Sequence, residues 1–319
     1  MIKGTTKLLG VIGHPIAHSL SPAMHNAAIA HLGVDFVYLP LPVKPQDLKA
    51  ALVGFGAIDL RGFSITIPHK QAILPLLADV SPIARAIGAV NTVYRTDKGW
   101  CGTNTDVEGF LAPLQTSPTP PCSGGAEDDR PALESSDSPL YQATARGGSD
   151  WSQKVAVILG NGGAARAVVA GCAQLGCAEI HVVGRNAQNL AEFHDSWVTS
   201  PMPVQNLQVH TWDNLSMLMS QADLLVNTTP VGMYPHGEKS PVSAVALDRI
   251  SAGAIVYDLI YTPNPTQFLK DAQLRGARAI DGLEMLVQQG AAALKIWLDT
   301  ESVPVDVMRQ ALREHLGLD

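Results

Sequence analysis

A lysine and an aspartate far apart in the chain, Lys70 and Asp106, have the types that proton transfer needs. Lys70 ends the stretch G-F-S-I-T-I-P-H-K (62–70), an alternating run of strand type that breaks at Pro68. Proline suits the first turn of a helix, so the ammonium is expected where a strand hands over to a helix, near the positive end of the helix dipole. A cation there is misplaced by a few tenths to about 1 kcal/mol. A residue that opposes local stability is a candidate for chemistry. Asp106 closes the polar island G-T-N-T-D (102–106) and is expected to meet that lysine across a cleft. An amine held beside a carboxylate can move a proton to or from an oxygen whose charge changes during a reaction.

A nucleotide fingerprint stands some fifty residues further on. G-N-G-G-A-A (160–165) matches G-x-G-x-x-G/A with a strand, K-V-A-V-I-L (154–159), before it and a helix over 164–175 after it. That context gives the pattern its meaning. Gly160 makes the tight turn, Gly162 lets backbone approach a pyrophosphate, and Ala165 permits close helix–strand packing. The helix N-terminus attracts the phosphates. An NAD site expects Asp or Glu about 20 residues after the glycines, whereas an arginine suits a 2′-phosphate. Here V-V-G-R-N (182–186) supplies Arg185 and no acid, which argues for NADP. N-T-T-P-V-G-M (227–233) and D-L-I-Y (258–261) directly follow strands, where ligand crevices form in parallel sheets. Asn227 reads equally as a turn former, and Pro230 as a loop terminator.

G-H-P-I-A-H-S-L-S-P (13–22) offers the hydroxyls of Ser19 and Ser21. Either Ser21 caps the helix that follows and Ser19 is solvated, or both bind a polyhydroxylated or carboxylated ligand. The residues alone favour capping. The early histidines His14, His18, His25 and His31 fit no familiar ligand set, and no metal is expected.

The elements that must carry these residues alternate in βα fashion. Strands are expected over 7–13, 35–42, 62–67, 154–159, 179–183, 223–227 and 254–259, and a further one after 86–95. Helices are expected over 21–33, within 43–55, over 164–175 and from Met285 to the end, including 305–316. This argues for mostly parallel sheets. The chain has 319 residues, 46% hydrophobic and 16% charged, enough for two domains with a well-buried core. A net charge of −7 favours neither nucleic acid nor an anionic membrane. No apolar run approaches the ~20 residues of a spanning helix, and the start lacks the features of a signal peptide. Cys101, Cys122, Cys172 and Cys177 form no disulfide framework, which suits a cytoplasmic protein. Residues 116–150, rich in Pro, Ser, Gly and acid, read as a mobile surface insertion.

Taken together, these segments resemble the shikimate dehydrogenases over nearly the whole chain outside 116–150. The motifs are S-L-S-P (19–22), T-I-P-H-K (66–70), A-V-N-T (89–92), G-T-N-T-D, G-N-G-G-A-A-R (160–166), the Gly184–Arg185 pair, Y-D-L-I-Y (257–261) and D-G-L-E-M-L-V-Q-Q-G (281–290). The resemblance implies a Lys70–Asp106 catalytic pair and substrate contacts at Ser19, Ser21, Thr66, Asn91, Asp106, Tyr261 and Gln289. It implies cofactor contacts at Gly160, Asn161, Gly162, Gly163 and Ala164, at Gly184, Arg185, Asn186 and Asn189, and at Leu259 and Gly282. It implies a two-domain α/β fold: a substrate domain over 1–106 completed by 283–319, and a Rossmann-type NADP domain over 107–282. The activity implied is NADPH-dependent reduction of 3-dehydroshikimate to shikimate by a monomer or homodimer. Three positions depart from the pattern: Ser64 replaces a usual Asn, Asn161 a common Ala, and Asn189 a second basic residue found in some members. A quinate/shikimate dehydrogenase using NAD shares the constellation. A methylene-tetrahydrofolate dehydrogenase suits the Ser19, Ser21, Asn91 and Asp106 set less well. A silent NADP-binding sensor is expected to have lost Lys70 or Asp106, and both are present.

Overall fold

The computed structural model describes residues 2–115 and 150–318. The insertion expected at 116–150 lies outside the described residues, apart from Asp150. Two six-stranded sheets organise the rest.

The first sheet contains β1 (Lys7–Gly13), β2 (Phe36–Pro42), β3 (Gly62–Ile65), β4 (Asp79–Val80), β5 (Thr92–Thr96) and β6 (Gly99–Thr103), in the order β2-β1-β3-β5-β6-β4. β1 is parallel to β2 and β3, and β4 to β6, but β3–β5 and β5–β6 are antiparallel. Three of the five pairings are parallel, so the sheet is mostly parallel as expected, with antiparallel pairings on either side of β5. The β5–β6 pairing follows from the short turn at Asp97–Lys98, closed by Gly99 at φ 118°, which makes a hairpin and leaves no room for a crossover helix.

Helices α1 (Ser21–Leu32), α2 (Leu48–Ala57), α3 (His69–Ala72) and α4 (Pro82–Ile87) punctuate this half. β1 is buried on both faces. Leu9 and Val11 join Met24, Tyr38 and Trp297 on one side, and Ile12 joins Leu52, Phe63 and Val93 on the other. Helix α5 (Asp106–Gln115) then leads out of the sheet.

The second sheet contains β7 (Val155–Leu159), β8 (Glu179–Gly184), β9 (Leu207–Thr211), β10 (Leu224–Asn227), β11 (Ile255–Asp258) and β12 (Arg278–Ile280). All pairs are parallel, in the order β12-β11-β10-β7-β8-β9. Numbered from β7, this is the 3-2-1-4-5-6 order of a dinucleotide-binding sheet, with its reversal between β7 and β10. Its strands are near-continuous apolar runs, as burial on both faces demands. Around it lie α6 (Gly163–Leu175), α7 (Ala187–Val198), α8 (Leu215–Met219), α9 (Ala244–Leu247) and α10 (Gln267–Gln273). After β12 the chain returns to the first half. α11 (Leu283–Leu298) packs on α5 and α1, and α12 (Val305–Leu316) on α1 and α11. Among the described residues, no helix is long and apolar enough to cross a membrane.

Candidate active site

Lys70 is fixed by its backbone as much as by its side chain. Thr66 N donates to Ile12 O (3.0 Å), His69 N to Thr66 O (3.0 Å), and Val90 N to Lys70 O (2.8 Å). These bonds tie the turn after β3 and the start of α3 to β1 and to the segment before β5. The neighbouring His69 ring, buried, bonds Val43 O at 2.7 Å. From this platform Lys70 Nζ donates to Asp106 Oδ2 at 2.6 Å, with the two side chains 17% and 6% exposed.

Asp106 opens α5, and its N–H donates to Asn104 Oδ1 (2.9 Å). Its second oxygen, Oδ1, accepts from Asn91 Nδ2 at 2.8 Å. Asn91 is itself held: its Oδ1 accepts from Thr105 N (2.8 Å) and Thr92 Oγ1 (2.9 Å). Thr105 Oγ1 donates in turn to Gln289 O (2.9 Å) on α11. The carboxylate is therefore oriented from behind by an amide and presents Oδ2 to the lysine. Asn91, 1% exposed, lies in this supporting layer and does not line the cleft in front.

That cleft, about 190 Å³, is lined by Ser19, Ser21, Thr66, Lys70, Asp106, Tyr261 and Gln289, together with Ser64, Leu259 and Gly282. Ser21 is not a helix cap. Leu20 holds the cap position, and Ser21 N donates to Ser19 Oγ at 3.3 Å. The Ser21 hydroxyl is thereby left to the cleft. Burial pushes the Tyr261 phenol up from its ordinary value.

A second cleft of about 450 Å³ opens on the other side of Lys70. Gly160, Asn161, Gly162, Gly163, Ala164, Gly184 and Arg185 line one wall, with Thr228, Thr229 and Pro230 beside them. Gly160 has φ 101°, and a Cβ there would stand 2.8 Å from Thr228 Oγ1, so only glycine fits this turn. A Cβ on Gly162 would meet nothing within 4 Å: that glycine leaves an open cradle at the start of α6, the shape a pyrophosphate requires. Asn186 and Asn189 flank the cleft without lining it. Asn186 Oδ1 caps α7 by accepting from Asn189 N at 2.9 Å. Trp212, just past β9, lines the wall with Arg185. Its only signal in the sequence is an aromatic residue at a strand's carboxyl end. Thr66, Lys70 and Ala164 line both clefts, so the two spaces meet at the lysine.

Fold and site together define a two-domain dehydrogenase, with a dinucleotide cleft at the switch point of a parallel sheet and a small polar cleft facing it. Residues 11–93 match the shikimate dehydrogenase substrate-binding domain, and residues 282–313 the shikimate 5′-dehydrogenase C-terminal domain. The chain is 62% identical to the NADP(+) shikimate dehydrogenase of Trichormus variabilis, over 100% of both chains. Among solved structures it resembles a shikimate dehydrogenase in complex with NADP+, at 32% identity and TM-score 0.80, over 99% of this chain and 98% of that one. It also resembles the Thermus thermophilus shikimate 5-dehydrogenase in complex with NADP(H) and shikimate. There the identity is 31% and the TM-score 0.76, over 97% of this chain and 99% of that one. The chain belongs to the shikimate dehydrogenase family.

Proposed function

We propose that this protein catalyses the reversible NADPH-dependent reduction of 3-dehydroshikimate to shikimate, with Lys70 and Asp106 as the catalytic pair. The observation that carries this reading is the Lys70–Asp106 ion pair at the junction of the two clefts. NADPH, when bound, supplies the hydride. Lys70 Nζ, as an ammonium, gives its proton to the oxygen of the carbonyl as that oxygen becomes an alkoxide. Asp106 Oδ2 holds the ammonium and accepts from a ring hydroxyl, while Asn91 fixes the other carboxylate oxygen. Ser19, Ser21, Thr66, Tyr261 and Gln289 supply donors and acceptors for the carboxylate and hydroxyls of the substrate.

On the other side, the glycine loop from Gly160 to Ala164 takes the pyrophosphate and Arg185 the 2′-phosphate. Leu259 and Gly282 bound the nicotinamide end, and Asn186 and Asn189 shape the turn beside Arg185. The substrate domain comprises 1–106 with 283–319, and the NADP domain 107–282. A cytoplasmic location and a monomeric or homodimeric state complete the proposal; light scattering of the purified chain decides between the two states.

The test is a nicotinamide absorbance assay with shikimate or quinate against NADP+ or NAD+. Turnover is expected with shikimate and NADP+. A clear preference for quinate with NAD+ would point instead to a quinate dehydrogenase, and no turnover with any pair would refute the proposal.

A further inference from the structure

Behind the wall shared by the clefts lies a carboxylate that the mechanism above does not use. Asp258 ends β11 beside Asn227, which ends β10, and it is fully buried. Its Oδ1 accepts from Asn227 Nδ2 (2.9 Å) and from Ile260 N (3.1 Å), and its Oδ2 from Thr266 Oγ1 (2.7 Å). Asn227 passes the constraint on: its Oδ1 accepts from Thr229 N (3.0 Å) and Thr229 Oγ1 (2.7 Å). One carboxylate thus holds the loop after β10, which carries Thr228–Pro230, and the loop after β11, which carries Leu259–Tyr261. Both loops line the ligand clefts.

Among the described residues Asp258 has no cationic partner. The charged side chain whose field reaches it is Asp281, which is itself occupied by Asn264 Nδ2 (3.0 Å) and Leu283 N (2.8 Å). An asparagine would fit the space with a lower desolvation cost, but its Nδ2 could not accept from the Thr266 hydroxyl as Oδ2 does. A buried anion in that place points to a use for the charge.

We propose that Asp258 is a positioning residue for the dinucleotide: as an anion it holds the loops after β10 and β11 in the binding geometry, and its protonation releases them. This rests on the reading of the site as an NADPH site and adds the residue that sets its grip. Burial pushes the carboxyl up to about 6, against the hydrogen bonds from Thr266, Ile260 and Asn227 that favour the anion. At neutral pH the anion prevails; at mildly acidic pH the protonated form must turn one oxygen into a donor and weaken the bonds it accepted.

The test measures NADPH dissociation constants by nicotinamide fluorescence between about pH 5 and pH 8 for wild type, Asp258→Asn and Thr266→Val. Wild type is expected to lose affinity toward the acid end. Asp258→Asn should bind about fivefold more weakly at neutral pH and lack that part of the acid loss. Thr266→Val removes a donor to the anion and should move the acid loss to higher pH. The 2′-phosphate of the cofactor titrates near pH 6, and His18 and His315 lie beside the adjoining loops. All three are common to the three proteins, so the differences between them isolate Asp258. Superimposable pH profiles would overturn the inference, and if Asp258→Asn does not fold, Thr266→Val alone decides. Failure of wild type to bind NADPH at neutral pH would instead overturn the reading of the site itself.

Discussion

In the proposed mechanism the chemistry reduces to one amine and one carboxylate oxygen. Lys70→Ala should leave NADPH affinity nearly intact and lower kcat by about 10² or more, the range a positioned acid contributes. Steady-state kinetics beside a fluorescence titration check this, and near-normal turnover would remove Lys70 from the mechanism. Asp106→Ala should cost both turnover and substrate affinity, because Oδ2 serves the lysine and the ligand together; unchanged kinetics would end its assigned role. The two residues were legible in the sequence because each ends a motif of distinctive type and order. Their supports were less so. Asn91 stood out, but nothing in A-V-N-T reveals that its amide faces Asp106 from behind. Ser21 read as a cap because Ser-Pro before an apolar run usually is one; the helix starts one residue earlier than that, with Leu20 at the cap and Ser21 N held by Ser19 Oγ. Asp258 lay in the D-L-I-Y run read as bordering the crevice, but the sequence does not show that it is buried without a counter-ion.

At the level of elements, the site depends on how closely three helices approach. A Cβ on Gly109 of α5 would stand 2.7 Å from Met285 O and 2.9 Å from Gln289 Cβ, and one on Gly171 of α6 would stand 2.5 Å from the Phe110 ring. These glycines let α5 lie against α11 on one side and α6 on the other. Gly109→Val should therefore wedge α5 from α11, which carry Asp106 and Gln289. We expect a loss of about 1–3 kcal/mol in stability from overpacking and a raised KM for shikimate, with a smaller change in NADPH affinity. A denaturant melt and the two titrations measure these effects, and a KM equal to wild type would show that the seam does not set the substrate cleft. The strands with long apolar runs were readable, and α6 from its glycine loop and its stop at Gly176, but the short or polar strands β4, β6, β9 and β12 were not. The hairpin of β5 and β6 was not anticipated, and the contacts of Gly109 and Gly171 lie outside what helical periodicity can express.

For the molecule as a whole, the interior of the first half carries a histidine it cannot charge. His25 is fully buried against Tyr38, with ring centroids 4.2 Å apart, and among the described residues neither ring nitrogen has a partner. Burial lowers it from 6.5 to about 3. Above pH 6.5 both folded and unfolded chains hold it neutral, so its titration makes no contribution to stability there. As pH falls from there toward 3, the unfolded chain takes a proton that the fold refuses, and stability is lost over that window. The cost reaches about 2 kcal/mol near pH 5. His25→Phe should flatten this part of the stability profile in chemical denaturation at pH 5 and pH 7; equal slopes for the two proteins would refute it. The two-sheet plan was legible because βα alternation and one fingerprint suffice for it. The return of α11 and α12 to the first half came from the family resemblance, since periodicity shows only that they are helices. That return has a mechanical outcome. The halves meet along a seam: α5 packs on α6 and α11, α4 packs on α6, Arg166 Nη1 donates to Ile87 O (3.1 Å) and Ser200 Oγ to Ala86 O (2.9 Å). A load on either half is therefore shared along that seam and not borne at a single joint.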